Sequence, residues 1–307
     1  MTKETFVTVT ILGLGIMGSA FGRTAARRGL QVTGWDRAPA QAAALAPDGV
    51  RAANTAAEAA STADVVVTMV PDAGAVMDVM EAHGAFAAMR PGAAWVQMST
   101  IGVEGTERAL RLAATRRDVT FVDAPVSGSK PVAEQGKLVV LASGDRERAG
   151  ATVQQFFDAL GTAQWLGEAG AGTRMKLLFN AWIAIEMEGV AELAILADAL
   201  GVDLQRFASL AAGGPLVPSW AIAKINKITD GTTSETEFPL RWADKDVRLA
   251  RSAAGEQRAR LPMLGTIDAV WADAVDRYGA DDLSAIYVAL RDGTAPHSPL
   301  SSLSRIG

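Results

Sequence analysis

The chain has 307 residues, and at about 100–200 residues per domain that length predicts two domains, each able to bury its own core, and excludes a short peptide scaffold. Hydrophobic residues make up 49% and charged residues 21%, with aromatics at only 6%, an ordinary soluble-globular composition that fits neither a disordered nor a membrane chain. The formal charge of -5, from 29 Lys+Arg against 34 Asp+Glu, argues against a nucleic-acid surface, which needs a net basic field.

The absence of cysteine excludes disulfides, thiolate catalysis and cysteine-ligated metal. Two histidines, His83 and His297, lie far apart in sequence, so neither a metal site nor a Ser-His-Asp triad is expected, and acid–base chemistry falls to Lys, Asp, Glu or Tyr. No charged segment leading into an apolar run opens the chain, and no stretch reaches the ~20 apolar residues of a membrane span. The expected address is the cytoplasm, with no membrane or nucleic-acid partner.

Short apolar runs alternate with Ala-rich helical stretches through the first half. The runs are Val7–Leu12, Leu30–Trp35, Asp64–Val70, Ala94–Met98, Thr120–Val122 and Lys137–Ala142. Strand–helix alternation of this kind predicts an α/β domain with a mostly parallel sheet and helices on both faces. After Trp165 the pattern changes. Gly167, Gly170 and Gly172 precede a run from Thr173 to Leu200 that contains no proline and only Gly189. That run predicts a helix of ~40 Å at ~1.5 Å per residue, with Gly201 in the favoured position just past its end. Helical segments follow at Leu204–Ala212, Ser219–Lys227, Phe238–Ala254, Met263–Tyr278 and Asp282–Leu290, separated by Gly- and Pro-containing breaks. The expected organisation is a dinucleotide-binding domain over 1–167, an all-helical domain over 168–293, and a Ser/Pro-rich flexible tail over 294–307.

Gly13-Leu14-Gly15-Ile16-Met17-Gly18 directly follows the first run and leads into a helical stretch. In that context G-x-G-x-x-G predicts a dinucleotide site. Gly13 would permit the tight turn, Gly15 would admit the pyrophosphate, and Gly18 would allow close helix–strand packing. Asp36, 18 residues after Gly18, is placed to bind the ribose hydroxyls of NAD. Arg37 beside it could meet the 2′-phosphate of NADP, stack on adenine or point to solvent. The pair leans to NAD and leaves NADP open. Val70-Pro71-Asp72 and Ser99-Thr100 end the third and fourth expected strands, where ligands of open α/β sheets bind, although Asp72 and Thr100 would also serve as plain helix caps.

The segment Asp123-Ala124-Pro125-Val126-Ser127-Gly128-Ser129-Lys130-Pro131 combines hydroxyls, exposed amides and a cation, a plausible carboxylate cradle. Lys176 opens the long helix among Met175, Leu177, Leu178 and Phe179, with Asn180 at i+4. Partial desolvation among those side chains would bring its pKa towards working pH, as an acid–base lysine needs.

These motifs together resemble the β-hydroxyacid dehydrogenases, the group that includes 3-hydroxyisobutyrate dehydrogenases and tartronate, glyoxylate and succinic semialdehyde reductases. The resemblance rests on GLGIMG (13–18), the Pro71 turn, Ser99-Thr100, DAPVSGS (123–129), the G-x-G-x-x-x-K-x-x-x-N element from Gly170 to Asn180, and Lys245-Asp246 after Phe238. It implies a Rossmann domain joined by a long helix to a helical domain used for homodimer or homotetramer formation. It implies Lys176 as catalytic acid/base with Asn180 beside it, and Ser127, Gly128, Ser129 and Asn180 as substrate contacts. Lys245 and Thr100 would contact NAD or NADP. The implied reaction is reversible hydride transfer on a small carboxylate substrate.

Gly128-Ser129-Lys130-Pro131 stands where many relatives have two glycines, closer to the glyoxylate/succinic semialdehyde reductases. Lys130 would favour a second carboxylate on the substrate, or point to solvent. A decarboxylating phosphogluconate dehydrogenase fits less well because no arginine-rich sugar-phosphate site is evident. An imine reductase usually replaces this lysine. A non-catalytic dinucleotide-binding sensor or scaffold would need neither Lys176 nor Asn180. Leu216, Trp220 and Phe238 are candidates for the substrate-discriminating wall, with core packing the competing expectation for Trp220.

Overall fold

A computed structural model describes residues 7–293 and resolves two compact units, which part between Leu178 and Phe179 inside one continuous helix. The expected tail over 294–307 lies outside the described residues.

The first unit is built on nine strands, β1 (Thr8–Leu12), β2 (Gln31–Trp35), β3 (Val50–Ala52), β4 (Val65–Thr68), β5 (Ala94–Gln97), β6 (Thr120–Asp123), β7 (Val126–Ser127), β8 (Leu138–Gly144) and β9 (Gly161–Trp165). Their spatial order is β3-β2-β1-β4-β5-β6-β8-β7, with β9 against β8. The pairs from β3 through β6 are all parallel, while β8 runs antiparallel to β6 and β7. The order reverses between β1 and β4, and such a switch point opens a crevice at the carboxyl ends of the strands. Both faces of the sheet are buried, which is why β4 reads as an unbroken apolar run. Val65 and Val67 face one core with Phe21, Leu45, Phe156 and Phe157, and Val66 faces the other with Met80, Phe86 and Trp95.

Each of the six expected runs overlaps a strand, and β3, β7 and β9 escape the pattern. β3 has three residues with Arg51 exposed, β7 has two, and β9 (GTAQW) alternates half-buried with exposed positions. Such edge or very short strands carry too little apolar periodicity to register. Of the two expected caps, Asp72 accepts the Ala75 amide at 2.8 Å and caps helix Ala73–Met77. Thr100 does not cap, because the next helix begins at Gly102 with Ile101 before it and no side-chain cap.

The second unit is helical: beyond the long helix it holds Leu204–Ala211, Ser219–Thr229, Leu240–Ala253, Pro262–Tyr278 and Ile286–Arg291. Its core packs Met187, Ile225, Leu240, Val247 and Trp271, and the indole N–H of Trp271 donates to Glu188 Oε2 at 2.7 Å. Burial pushes the Glu188 carboxyl up, against the pull of that bond. Trp220 and Phe238 pack against this core, whereas Leu216 is exposed. Among the described residues no helix is long and apolar enough to cross a membrane.

Candidate functional site

The glycines of the first turn have three separate physical reasons. Gly13 has φ +97°, and a Cβ there would lie 2.4 Å from the Met69 carbonyl oxygen. The turn after β1 therefore presses on the loop after β4, at the switch point itself. At Gly18 a Cβ would stand 1.9 Å from the Gly13 carbonyl oxygen, so the helix packs onto the turn with no room for a side chain. Gly15 is the opposite case, because a Cβ there meets nothing within 4 Å. It is the N-cap of helix Ile16–Arg27, which has no side-chain cap and no acidic residue in its first turn. Open space before an uncapped, acid-free helix N-terminus fits a pyrophosphate. Of the remaining motif residues, Leu14 is core, Met17 packs against the core, and Ile16 is partly exposed.

Asp36 directly follows β2, where its Oδ2 accepts the Leu14 amide at 2.8 Å and its Oδ1 the Ala38 amide at 2.9 Å. The carboxylate is thus fixed beside the glycine turn, while Arg37 is exposed. Val70 packs against the core and its amide donates to Ser99 Oγ at 2.8 Å, with Pro71 exposed beyond it. Gln97 fixes Ser99 from below, accepting the Ser99 amide and donating to its carbonyl, both at 2.8 Å. The structure therefore gathers Gly13–Gly18, Asp36, Val70, Pro71 and the half-buried Thr100 at the carboxyl ends of β1, β2, β4 and β5.

Ser127, Gly128, Ser129 and Lys130 form a second group, between β7 and helix Lys130–Glu134. Gly128 has φ +133°, and a Cβ there would come within 2.6 Å of Leu138. Ser129 holds the N-cap position without a side-chain bond to the helix, so its hydroxyl is not spent on capping. The Lys130 ammonium stands 3.9 Å from Glu134 on the next turn, both partly exposed.

Asp123 is where the sequence reading of the DAPVSGS segment changes. It does not line a cradle: it is fully buried and accepts both the amide and the hydroxyl of Thr173 at 2.8 Å, and the Ser143 hydroxyl at 3.1 Å. Ser143 Oγ in turn accepts the Gly172 amide at 2.9 Å. Burial pushes the Asp123 carboxyl up, and the bonds from Thr173 and Ser143 pull it back. The long helix starts at Ala171, two residues before the sequence expectation, because Asp123 and Ser143 satisfy its first amides from outside. Gly172 lets it approach: a Cβ there would lie 2.1 Å from the Leu141 carbonyl oxygen. Lys176, half-buried, sits in the second turn of a helix start pinned by these contacts.

In the second unit, Asn180 is buried and its Nδ2 donates to Oδ2 of the buried Asp246. Lys245, largely buried, places its ammonium 2.8 Å from Asp246 Oδ1. The structure thus brings Lys245 and Asn180 together through Asp246 of the Lys-Asp element.

Residues 8–169 match the model described as the NAD binding domain of 6-phosphogluconate dehydrogenase, and residues 170–290 match that described as NAD-binding of NADP-dependent 3-hydroxyisobutyrate dehydrogenase. The chain belongs to the β-hydroxyacid dehydrogenase family. Among curated members, it is 32% identical over 285 residues to the human cytokine-like nuclear factor N-PAC, covering 92% of this chain and 51% of that protein. The chain thus spans about half the length of that relative. It is 29% identical to glyoxylate/succinic semialdehyde reductase 1 of Arabidopsis thaliana, covering 92% and 98% of the two chains. Among solved structures, 3-hydroxyisobutyrate dehydrogenase of Salmonella typhimurium superposes with TM-score 0.83 at 28% identity over 92% of this chain and 99% of that one. The Mycobacterium tuberculosis enzyme, solved with L-serine, gives 0.80 at 27% over 94% and 100%. Imine reductase of Aspergillus terreus gives 0.60 at 22%, covering 92% and 98%, a likeness of fold alone. In β-hydroxyacid dehydrogenase terms, the first unit carries a nicotinamide-dinucleotide cradle that its residues fit.

Proposed function

We propose that this chain is an oxidoreductase acting between a small β-hydroxy acid and its semialdehyde or oxo-acid partner, with Lys176 as the acid/base. Lys176 carries the reading: it lies in a helix start pinned by Asp123 and Ser143, with a buried asparagine one turn later. A module that only binds dinucleotide needs neither residue. The cradle residues of the first unit are Gly13–Gly18, Asp36, Val70, Pro71 and Thr100. A nicotinamide held there would supply or accept the hydride. Protonated Lys176 donates to the alkoxide oxygen in reduction, and the neutral amine takes the alcohol proton in oxidation. Ser127, Ser129 and the amides around Gly128 hold the substrate carboxylate and so orient the reacting carbon. Lys130 extends that group towards a second carboxylate.

The test is a panel of small hydroxy acids and semialdehydes, each assayed with NAD(H) and NADP(H) separately. Lysine-dependent turnover of at least one carboxylate substrate is expected. Dinucleotide binding without any turnover would move the chain to the second reading, a binding role, which the similarity to proteins named nuclear factors favours. The same panel tests the cofactor. The Asp36 carboxylate, held by two backbone amides, repels a 2′-phosphate, so kcat/KM is expected to be higher with NAD(H). Asp36→Asn should narrow that ratio, and an unchanged ratio would remove Asp36 from cofactor choice.

We also infer self-association through the long helix. Trp182 (57% exposed) and Leu196 (51%) flank the exposed Gly189 at intervals of seven residues, and Leu200 (67%) continues the stripe. An apolar stripe at helical spacing on a soluble chain supports a second copy as its cover. Wild type should elute as a dimer or tetramer in light-scattering chromatography, and Trp182→Lys with Leu196→Lys should shift it towards monomer.

A further inference from the structure

Three adjacent strands of the first unit end on polar side chains that are wholly buried. Thr68, Gln97 and Asp123 stand in register across β4, β5 and β6, each at 0% exposure. Asp123 is spent on the start of the long helix. Thr68 and Gln97 instead build a network with Trp95 and Ser99 that no step of the proposed reaction uses. The Trp95 indole N–H donates to Thr68 Oγ1 at 3.1 Å, and the Thr68 hydroxyl donates to Gln97 Oε1 at 3.4 Å. Gln97 Oε1 also accepts the Ser99 amide, and its Nε2 donates to the Ser99 carbonyl. The Ser99 hydroxyl donates to the Thr68 carbonyl at 3.3 Å and accepts the Val70 amide at 2.8 Å.

Only a carboxamide closes this ring. The Ser99 amide can only donate and its carbonyl only accept, so the group facing them has to accept at one atom and donate at another. The effect reaches the glycine turn, because Ser99 Oγ holds Val70, and a Cβ at Gly13 would stand 2.4 Å from the Met69 oxygen and 2.6 Å from Val70 Cγ1. A doubly wound sheet binds a dinucleotide with two halves, and the acidic residue that takes the adenosine ribose belongs to the first. Asp36 marks that half, and Gln97 lies under the other. We propose that Gln97 is a positioning residue for the nicotinamide half of the cradle, clasping Ser99 so that the loops after β4 and β5 are set before a dinucleotide arrives. This rests on the dinucleotide cradle and on no choice of substrate. A loop ordered beforehand loses no conformational entropy on binding.

The experiment compares two ligands on the intact protein: NADH or NADPH, whichever binds more tightly, and adenosine monophosphate, which reaches only the half that holds Asp36. Gln97→Met keeps the side-chain length and removes both hydrogen bonds to Ser99. Its dinucleotide Kd is expected to rise about tenfold, with the monophosphate Kd within about twofold of wild type. Equal rises for both ligands, or no rise, would overturn the proposal, since a merely structural loss does not choose between the halves. Ser99→Ala cuts the link to Val70 and leaves the clasp on the Ser99 backbone. It should weaken dinucleotide binding severalfold in wild type and by less than about twofold in the Gln97→Met background; full additivity would take Gln97 out of this path. Wild type alone supplies a readout that needs no variant to fold. The Val70 and Ser99 amides should exchange slowly before dinucleotide is added and gain little protection when it binds. Amides that exchange freely until dinucleotide is added would mean that the ligand orders the loops, and the proposal would fail. None of these readouts needs turnover, so the reading of Lys176 can fail while this one stands.

Discussion

Replacing Lys176 with alanine is expected to lower kcat by about 10²- to 10⁴-fold, which is about 3–5 kcal/mol of transition-state stabilisation at 1.36 kcal/mol per decade. Dinucleotide affinity should stay close to wild type, because the cradle residues at the ends of β1, β2 and β4 are held by contacts that do not involve this side chain. Fold stability should also stay close, since the helix start is held by Asp123, Ser143 and Thr173. Stopped-flow measurement of the chemical step, paired with dinucleotide titration by intrinsic fluorescence, separates these expectations. A variant that retains full turnover would remove the lysine from the mechanism. One that loses dinucleotide binding as well would make it a structural residue.

Asp123 shows how far the sequence could carry this site and where it stopped. The glycine turn, the acidic residue after β2 and the lysine–asparagine pair are local patterns, and each is legible because its chemistry depends on neighbours in sequence. G-x-G-x-x-G works through backbone geometry within one turn: Gly13 takes a positive φ, Gly15 faces open space and Gly18 has no room for a side chain. Asp123 and Asp246 act over separations of 50 and 66 residues. No spacing rule marks a carboxylate that will cap a distant helix or hold a distant amide, so Asp123 read as part of a polar loop and Asp246 as the tail of a short element. The fold divides in the same way. Strands buried on both faces were legible as apolar runs, while β3, β7 and β9, short or at the margin of the sheet, depend on partners the sequence does not name.

The largest stability effect is expected at Lys224, which no sequence motif marks. Its ammonium is 2% exposed as a residue and lies 2.8 Å and 3.1 Å from the two oxygens of the fully buried Asp282, with Glu237 at 3.4 Å and the Trp220 ring centroid at 5.7 Å. Asp282 also accepts amides from Glu237, Phe238 and Ser284 and the hydroxyl of Ser284, so it ties the loop before helix Leu240–Ala253 to the chain before Ile286–Arg291. Lys224→Met keeps the stem's packing and leaves a buried carboxylate without its counter-charge, a loss of about 3–5 kcal/mol.

The pH dependence distinguishes this from a simple packing defect. Burial by itself would raise the Asp282 carboxyl, but the charge and hydrogen bond of Lys224, with Ser284, outweigh it and hold it below the ordinary range. In wild type the group therefore contributes stability that is present above its unfolded pKa of about 3.9 and is lost as pH falls through the lower folded value. Without Lys224 only burial and the weaker hydrogen bonds remain, the folded pKa rises, and the sign reverses: stability falls as pH rises through the carboxylate range. The difference between Lys224→Met and wild type should thus be largest near neutral pH and shrink below about pH 4. Denaturant melts at three pH values read this directly, and a deficit independent of pH would place the effect in packing. Adding Asp282→Asn to Lys224→Met removes the uncompensated charge yet keeps an acceptor for the Glu237 and Phe238 amides. Part of the stability lost at neutral pH should therefore return in the double variant, and the pH dependence with it should flatten.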